Sequence, residues 1–311
     1  MEYVAIQPLQ CDFGAYEGLD GYYQVEEYRI IPCEKVIRSE EKPFQTILLV
    51  FPFEGLEGVD AQTHFQNRAI MAGKAKKFVA WLVVATGVAM RLYHIGFGGA
   101  SFGKGTFIPR KEFVEEKILK EFQADITAKE GKYEEIFRPD LSAKGVSPGT
   151  TLKLPLDFPR LTRKLFSLPV KKQRQYIDAC LSFQFGLENW GAYPTVTLVA
   201  FVSAVESIMA EEFTSGYCED AKKICQFKKD ITKKFRAFFE RTLIKPLPED
   251  LRNFLNETYS KRSTFTHKAL LGEIGLCGTY GEYSQTSKLY SELRFLFRLI
   301  RAGLIQWLTE I

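Results

Sequence analysis

The chain has 311 residues and a mass of 35.6 kDa, and 46% of its residues are hydrophobic, which is enough for a full core in one large domain or two ordinary ones. A charged fraction of 26% and an aromatic fraction of 14% exclude a disordered or low-complexity chain. The net charge of +4 permits a nucleic-acid partner without requiring one.

The cysteine pattern and the hydropathy pattern both favour a reducing cytoplasm. The six cysteines are scattered without the spacing of a disulfide framework, and we find no secretory signal peptide. The most apolar segment, residues 78–90, is 13 residues long. A membrane span needs ~20 apolar residues, so we expect a buried helix here and a cytoplasmic protein with no membrane association.

Residues 1–157 are predicted to form an α+β domain. The first 58 residues combine β-branched and aromatic residues with clusters of Gly, Pro and Asp, which is typical of strands and turns. A long helical pattern follows over residues 61–90, interrupted by Gly73 and Gly87. Residues 92–109 predict a strand, a glycine loop and a second strand, and residues 110–130 predict a charged helix.

Residues 138–159 contain four prolines and two glycines, and they are the candidate domain boundary or connecting loop. Beyond them, helical patterns recur near residues 171–188, 193–213, 219–242, 248–271 and 286–309, with no convincing strand. The predicted fold class is therefore α+β, with a mixed N-terminal domain at residues 1–157 and an all-helical domain at residues 158–311.

The segment GGASFGK, residues 98–104, matches the core of a phosphate-binding P-loop. Gly105 stands where that motif has the Ser or Thr that binds magnesium, and Pro109 follows where a helix should run. A glycine-rich hairpin is therefore favoured over a nucleotide site.

The remaining cysteine and histidine candidates predict no metal site. Cys218 and Cys225 lie seven residues apart, without the spacing of a structural zinc site, and are interpreted as buried thiols. His64 and His94 have no obvious partner and are interpreted as structural or surface residues. We therefore predict neither a metal nor a cofactor.

Basic residues are concentrated in the helical pattern near residues 219–242. Three lysine pairs recur there, followed by two arginines: Lys222/Lys223, Lys228/Lys229, Lys233/Lys234, Arg236 and Arg241. A second basic run spans residues 160–174. Phosphate contacts would use such residues, and solvated helix faces use them equally often.

The helix predicted near residues 248–271 carries an arginine on its apolar face. That face follows a 4-3-4-3-4 spacing through Leu251, Leu255, Thr258, Arg262, Phe265 and Ala269. A buried guanidinium requires an acceptor, and Glu206 in an apolar helix upstream is a natural one. One interpretation is a structural Arg–Glu pair, and the other is an active site that also uses His267.

Helix geometry restricts how Arg262 and His267 could act together. Positions five apart differ by about 140° around an α-helix, so the two residues do not share a face. One site can use both residues if the helix lines a cleft, or if a second copy of the chain closes that cleft. The pair therefore predicts a homodimer.

Residues 259–267, YSKRSTFTH, resemble the signature of the HEPN family in its Apea-like branch, in which a tyrosine precedes Arg-Ser and a short stretch ends in His. Residues 176–213 resemble the preceding helices of that branch, and the resemblance covers about residues 171–309. It implies a small helical bundle that dimerises and, in active members, cuts RNA without a metal. The ribose 2′-OH then attacks the adjacent phosphorus and leaves a 2′,3′-cyclic phosphate.

The resemblance also implies roles for individual residues. His267 would transfer protons, and Arg262 would neutralise charge on the phosphate oxygens. Glu206, Tyr259 and Ser263 would support them. The basic residues expected to contact RNA are Lys222, Lys223, Lys228, Lys229, Lys233, Lys234, Lys261 and Lys268.

Two functional hypotheses follow from these expectations. The first is an endoribonuclease that acts on single-stranded RNA, with tRNA a candidate, in stress or phage defence. Its N-terminal domain would sense a signal, regulate the activity or position the substrate, and a regulatory partner is expected at that domain. The alternative is a non-catalytic HEPN module that dimerises and binds RNA, a nucleotide or a protein partner. In the alternative, Arg262 is paired with Glu206 and His267 lines an interface.

Overall fold

The structure is a computed structural model, and it describes residues 1–12, 18–38, 43–58, 60–92, 106–109, 128–134, 151–209, 221–268 and 283–311. These residues form an antiparallel sheet in the N-terminal part together with helices, which confirms the predicted α+β class. They separate into two compact units, one up to Arg163 and one from Lys164 onward.

The first unit is built on a six-stranded antiparallel sheet. Its strands are β1 (Glu2–Asp12), β2 (Tyr23–Val25), β3 (Tyr28–Arg38), β4 (Pro43–Glu54), β5 (Ala89–Leu92) and β6 (Thr106–Pro109). The order is β2-β3-β4-β1, and β5 and β6 both pair with the other edge of β1. There, β5 aligns with residues 9–12 and β6 with residues 3–6. Of the described strands, β1 therefore has the most pairing partners.

Both faces of the sheet carry buried apolar side chains. One face holds a cluster formed by Val4, Ile6, Ile31, Leu48 and Val50. On the other face, the ring of Tyr28 stacks on that of Phe78 in helix α1 (Ala61–Thr86), with ring centroids 4.0 Å apart. Because side chains alternate between the two faces of a strand, burial on both sides explains the unbroken apolar run in β4.

Helix α1 begins where the sequence predicts and ends earlier. The Asp60 side chain accepts a hydrogen bond from the Thr63 amide at the start, and Gly87, with φ 73°, ends the helix in a left-handed conformation. The predicted continuation to residue 90 is wrong, since residues 89–92 form β5. Gly73 does not interrupt the helix. Across the described residues, no helix combines the length and apolarity needed to cross a membrane.

Helix α2 (Phe158–Ser167) was not among the predicted helices. Its first half packs on α1, where Phe158 stacks on Trp81 at 5.7 Å and the Trp81 Nε1 donates to Thr162 Oγ1 at 2.8 Å. Pro159 lies in its first turn, where the missing N–H costs nothing, so the proline that suggested a loop marks a helix start instead.

The described residues of the second unit form helices and short connections, with no strand among them. It contains the second half of α2 and helices α3 (Val170–Glu188), α4 (Pro194–Ile208), α5 (Ala221–Thr242), α6 (Glu249–Lys268) and α7 (Tyr283–Glu310). The ring of Phe183 stacks on those of Phe201 and Phe297, at 5.2 Å and 5.4 Å. Helices α3 and α4 approach closely because Gly186 lacks a side chain, and a Cβ there would lie 2.6 Å from the Phe201 ring.

Several predicted features lie outside the described residues. These are the P-loop-like segment at 98–104, most of the charged helix at 110–130, His94, Cys218 and Ala269. Cys225 lies in α5, but its side chain is outside the described part.

Candidate functional site

Helix α6 carries the predicted site residues, and its sequence explains how it forms. Glu249 and Asp250 occupy the first turn, where carboxylates complement the helix dipole. Leu255, Tyr259 and Phe265 are buried, as is Thr258, at 4% exposure. Arg262 lies among these residues with 23% of its side chain exposed. The predicted position of an arginine on the buried face is therefore confirmed.

Glu206 on α4 is the acceptor for Arg262, as predicted. Arg262 Nη2 lies 2.7 Å from Glu206 Oε2, and the Tyr259 hydroxyl donates to Glu206 Oε1 at 2.7 Å. The Glu206 side chain is only 21% exposed. Both carboxylate oxygens thus accept a hydrogen bond from α6, which satisfies a charge that would otherwise be costly to bury.

Some N–H donors of the Arg262 guanidinium form no hydrogen bond to a described residue. Its hydrogen bond to a described residue is the one from Nη2 to Glu206. Nε is buried and has no hydrogen-bond partner within the described part of the chain. The guanidinium carbon lies 5.8 Å from the centroid of the Tyr259 ring, a cation–π contact. Because a guanidinium has five N–H donors, the described residues hold this one in place without using all of its donors.

Tyr259 is a hydrogen-bond donor rather than an acid at this site. Burial raises the pKa of its hydroxyl well above the ordinary value, and the hydrogen bond to Glu206 and the charge of that carboxylate raise the pKa further. Its ring also packs at 5.4 Å from the ring of Phe235 on α5. Tyr259 therefore stays protonated at physiological pH and holds Glu206 from the α6 side.

Lys261, predicted as an RNA contact, binds two carboxylates. Its Nζ lies 2.7 Å from Glu292 Oε2 on α7 and 2.9 Å from Glu257 Oε1. Burial acts to lower the pKa of Lys261, but the hydrogen bonds and charges of Glu292 and Glu257 outweigh it, so the pKa is raised. The RNA contact stays a prediction, and these carboxylates compete with phosphate for the ammonium group.

His267 and Lys268 are the last two residues of α6, and their side chains lie outside the described part of the structure. Their backbone positions keep the geometry expected from the sequence. Residues 262 and 267 are separated by about 140° around the helix and by ~7.5 Å along it. Ser263, the third supporting residue, is half-buried beside Arg262.

The lysines predicted to contact RNA lie mainly on α5. Lys222, Lys223, Lys228 and Lys229 are in this helix, with side chains outside the described part. Lys233 is exposed and Lys234 is half-buried. The described residues contain no cluster of three His, Cys, Asp or Glu side chains able to hold a metal ion.

His64 lies in the first turn of α1 and is exposed. Its ring packs against that of Phe107 with centroids 5.0 Å apart, as a surface histidine would.

Sequence reasoning missed the carboxylates around Lys261. Glu257 lies four residues before Lys261, an ion-pair spacing that the sequence carries. Glu292 is 31 residues away on α7, and no local pattern indicates it.

The whole chain matches no protein-family model, no curated protein and no solved structure. A functional hypothesis must therefore come from the motif and from the geometry of α4, α5 and α6.

Proposed function

We propose that the second unit is a HEPN-like bundle and that the protein is a metal-independent endoribonuclease. It cleaves single-stranded RNA, with tRNA a candidate substrate, to 2′,3′-cyclic phosphate ends, and it acts in the cytoplasm in stress or phage defence. The observation that carries this proposal is the arginine clamp, defined as Arg262, Glu206 and Tyr259, on the helix that also bears His267.

The clamp suits a guanidinium that acts on a phosphodiester. Glu206 fixes Arg262 through Nη2, and Nη1, which makes no hydrogen bond to a described residue, is left to donate to phosphate oxygens. Charge-assisted hydrogen bonds from such a fixed group stabilise the negative charge that builds up when the phosphorus becomes five-coordinate. Because the arginine is already oriented, less conformational entropy is lost when the RNA binds.

His267 supplies the proton transfer in this proposal. It removes the proton of a ribose 2′-OH, and the oxygen forms a bond to the adjacent phosphorus while the bond from phosphorus to the 5′-oxygen breaks. The departing oxygen takes up a proton from a second donor. One chain provides one such histidine at this site, so the second donor is water or His267 of a second copy, in keeping with a homodimer.

A second candidate function is favoured by the burial of the clamp. Arg262 is mostly buried and neutralised by Glu206, which is also what a purely structural pair requires. In this reading the protein is a non-catalytic HEPN module that dimerises and binds RNA, a nucleotide or a protein partner. The first unit would then recruit or regulate rather than position a substrate.

An RNA-cleavage assay with EDTA present distinguishes the two functions. We expect the wild type to cleave single-stranded RNA or tRNA to ends that carry a cyclic phosphate, and His267→Ala to lower the rate by about 10²- to 10⁴-fold. The matched control is His64→Ala, which removes an exposed histidine of the other unit and should leave the rate unchanged. If the wild type fails to cleave, or if His267→Ala retains full activity, the non-catalytic function is favoured.

A further inference from the structure

Helix α5 has a core face and a basic face, and the core face is defined by burial. Phe235, Phe238, Phe239 and Thr242 are buried, whereas Lys233 is exposed. Phe235 packs on Tyr259 of α6, and a Cβ at Gly303 of α7 would lie 2.7 Å from Phe238. The outward side of α5 is therefore the side that carries Lys233.

Four basic residues share one strip of that outward side. At ~100° per residue, positions 222, 229, 233 and 236 fall within about 60° of arc and span about 21 Å of helix. We name these residues the basic face: Lys222, Lys229, Lys233 and Arg236. Glu240, one turn after Arg236, ends it. Lys228 does not belong to it, because its position lies two turns before Phe235 on the core side.

The two members of the basic face whose side chains are described form no ion pair within the described part of the chain. Neither Lys233 nor Arg236 makes a side-chain ion pair or hydrogen bond to a described residue, and Arg236 Nε is buried without a partner. A buried guanidinium nitrogen without an acceptor is unfavourable in the unliganded protein. The Lys233 side chain is exposed, so its ammonium group is accessible to an anion from solvent.

A second basic strip on the same helix behaves differently. Lys223, Lys234 and Arg241 lie within about 20° of each other, roughly a third of a turn from the basic face. Lys234 and Arg241 each make at least one hydrogen bond, ion pair, ring contact or electrostatic interaction within the protein. The two strips have the same charge per residue, so they form a matched pair for comparison, and among their described side chains those of the second strip already have interactions within the protein.

We propose that the basic face of α5 binds the phosphate backbone of single-stranded RNA. This inference rests on the proposed function and narrows it, because it selects Lys222, Lys229 and Lys233 from the predicted RNA contacts and adds Arg236. It leaves out the other five predicted contacts, which are Lys223, Lys228, Lys234, Lys261 and Lys268. A row of cations along one helix follows the backbone of a strand without reading its bases, so binding depends on charge and salt rather than on sequence.

The test is the salt dependence of RNA binding in a His267→Ala background, where the RNA stays intact. Fluorescence anisotropy with a labelled single-stranded oligonucleotide gives the association constant at several salt concentrations. The basic-face variant is Lys229→Ala/Lys233→Ala/Arg236→Ala, and the control is Lys223→Ala/Lys234→Ala/Arg241→Ala, with the same change in net charge. Circular dichroism checks that both variants keep their helices.

Losing three phosphate contacts should reduce the slope of log K against log salt by about 2 and weaken binding about 100-fold at 0.1 M salt. The control should leave the slope unchanged. Equal slopes for both variants would overturn the inference while cleavage by the wild type still supported the proposed function. The single variant Lys233→Ala, at an exposed position, should reduce the slope by about 0.7 without affecting folding.

Two further outcomes separate the remaining explanations. If the His267→Ala parent binds RNA through the basic face and the wild type does not cleave RNA, the catalytic proposal is refuted and the inference is kept. A parent that binds anionic lipid vesicles and not RNA, or that binds neither, would overturn the inference.

Discussion

Glu206 accepts hydrogen bonds from Arg262 and Tyr259, so its removal affects two buried donors at once. We expect Glu206→Ala to lower the free energy of unfolding by about 3 kcal/mol, because it leaves a mostly buried guanidinium without its counter-charge. Tyr259→Phe removes one of the two bonds and keeps the ion pair, and should cost about 1 kcal/mol. Urea unfolding followed by circular dichroism measures both. Equal losses would show that the ion pair contributes nothing beyond one hydrogen bond.

The bridge from Lys261 to Glu257 and Glu292 predicts a pH dependence of stability. Lys261→Met should lower the free energy of unfolding by about 1 kcal/mol near neutral pH, since it removes two ion pairs of which one is mostly buried. Lys288→Met is the control. The Lys288 side chain is 72% exposed and its Nζ lies 3.9 Å from Glu292 Oε1, so its loss should cost only ~0.3 kcal/mol.

The direction of each pKa shift sets the pH window. The hydrogen bond from Lys261 lowers the pKa of Glu257, so its stabilisation is present above the unfolded value of ~4.3 and is lost as pH falls through the folded pKa. The pKa of Lys261 is raised, so its stabilisation is present below ~10.4 and is lost as pH rises through the folded pKa. The difference between wild type and Lys261→Met should therefore be constant from about pH 5 to 10 and shrink outside that range. A difference unchanged at pH 3 would contradict the assignment.

At the scale of elements, two glycines within helices predict opposite effects of the same substitution. A Cβ at Gly73 in α1 would meet no atom within 4 Å, so Gly73→Ala should raise the free energy of unfolding by about 1 kcal/mol. A Cβ at Gly186 would lie 2.6 Å from the Phe201 ring, so Gly186→Ala should lower it by about 1–3 kcal/mol. Chemical unfolding of both variants tests the pair. A destabilised Gly73→Ala would indicate that α1 is not a regular helix at this point.

Most helices of the second unit could be predicted because each carries its own periodic pattern. The predicted helix near residues 171–188 is α3 at Val170–Glu188, and that near 219–242 is α5 at Ala221–Thr242. The misses have local causes. Helix α2 starts at a proline-rich stretch, and the apolar run after Phe78 extends past the glycine that ends α1 into β5. Glycine conformation, and not hydrophobicity, marks the end of that helix.

The candidate site was predictable where a burial argument applied. Arg262 on an apolar face requires an acceptor, and Glu206 lies in an apolar helix, so both partners can be inferred from sequence. Tyr259 as a second donor to Glu206 could not be inferred, because its reach depends on how α4 and α6 pack. Catalysis by His267 stays a prediction. No local pattern shows whether a second copy of the chain completes the site.

At the scale of the whole molecule, the three tryptophans report on the two units separately. Trp81 is buried in the first unit, and Trp190 and Trp307 lie in the second. In a Trp190→Phe/Trp307→Phe background, fluorescence follows the first unit alone, and Gly73→Ala should raise its unfolding midpoint. In a Trp81→Phe background, Gly186→Ala should lower the midpoint of the second unit.

These unfolding midpoints also test whether the boundary within α2 separates two cooperative unfolding units. If all tryptophan probes shift together for both substitutions, the two units unfold as one cooperative block. Separate shifts would identify two folding units whose boundary along the chain lies between Arg163 and Lys164.

The pairing of β1 has a consequence for the order of events at the ribosome. Residues 2–12 emerge before every partner strand, yet they align with residues 45–54, 89–92 and 106–109. A nascent chain therefore carries an unpaired apolar segment until β4 has left the exit tunnel, and one edge of that segment stays unpaired until residue 109 has left it as well. Such late closure lengthens the time in which a chaperone, or another nascent chain, can capture the segment.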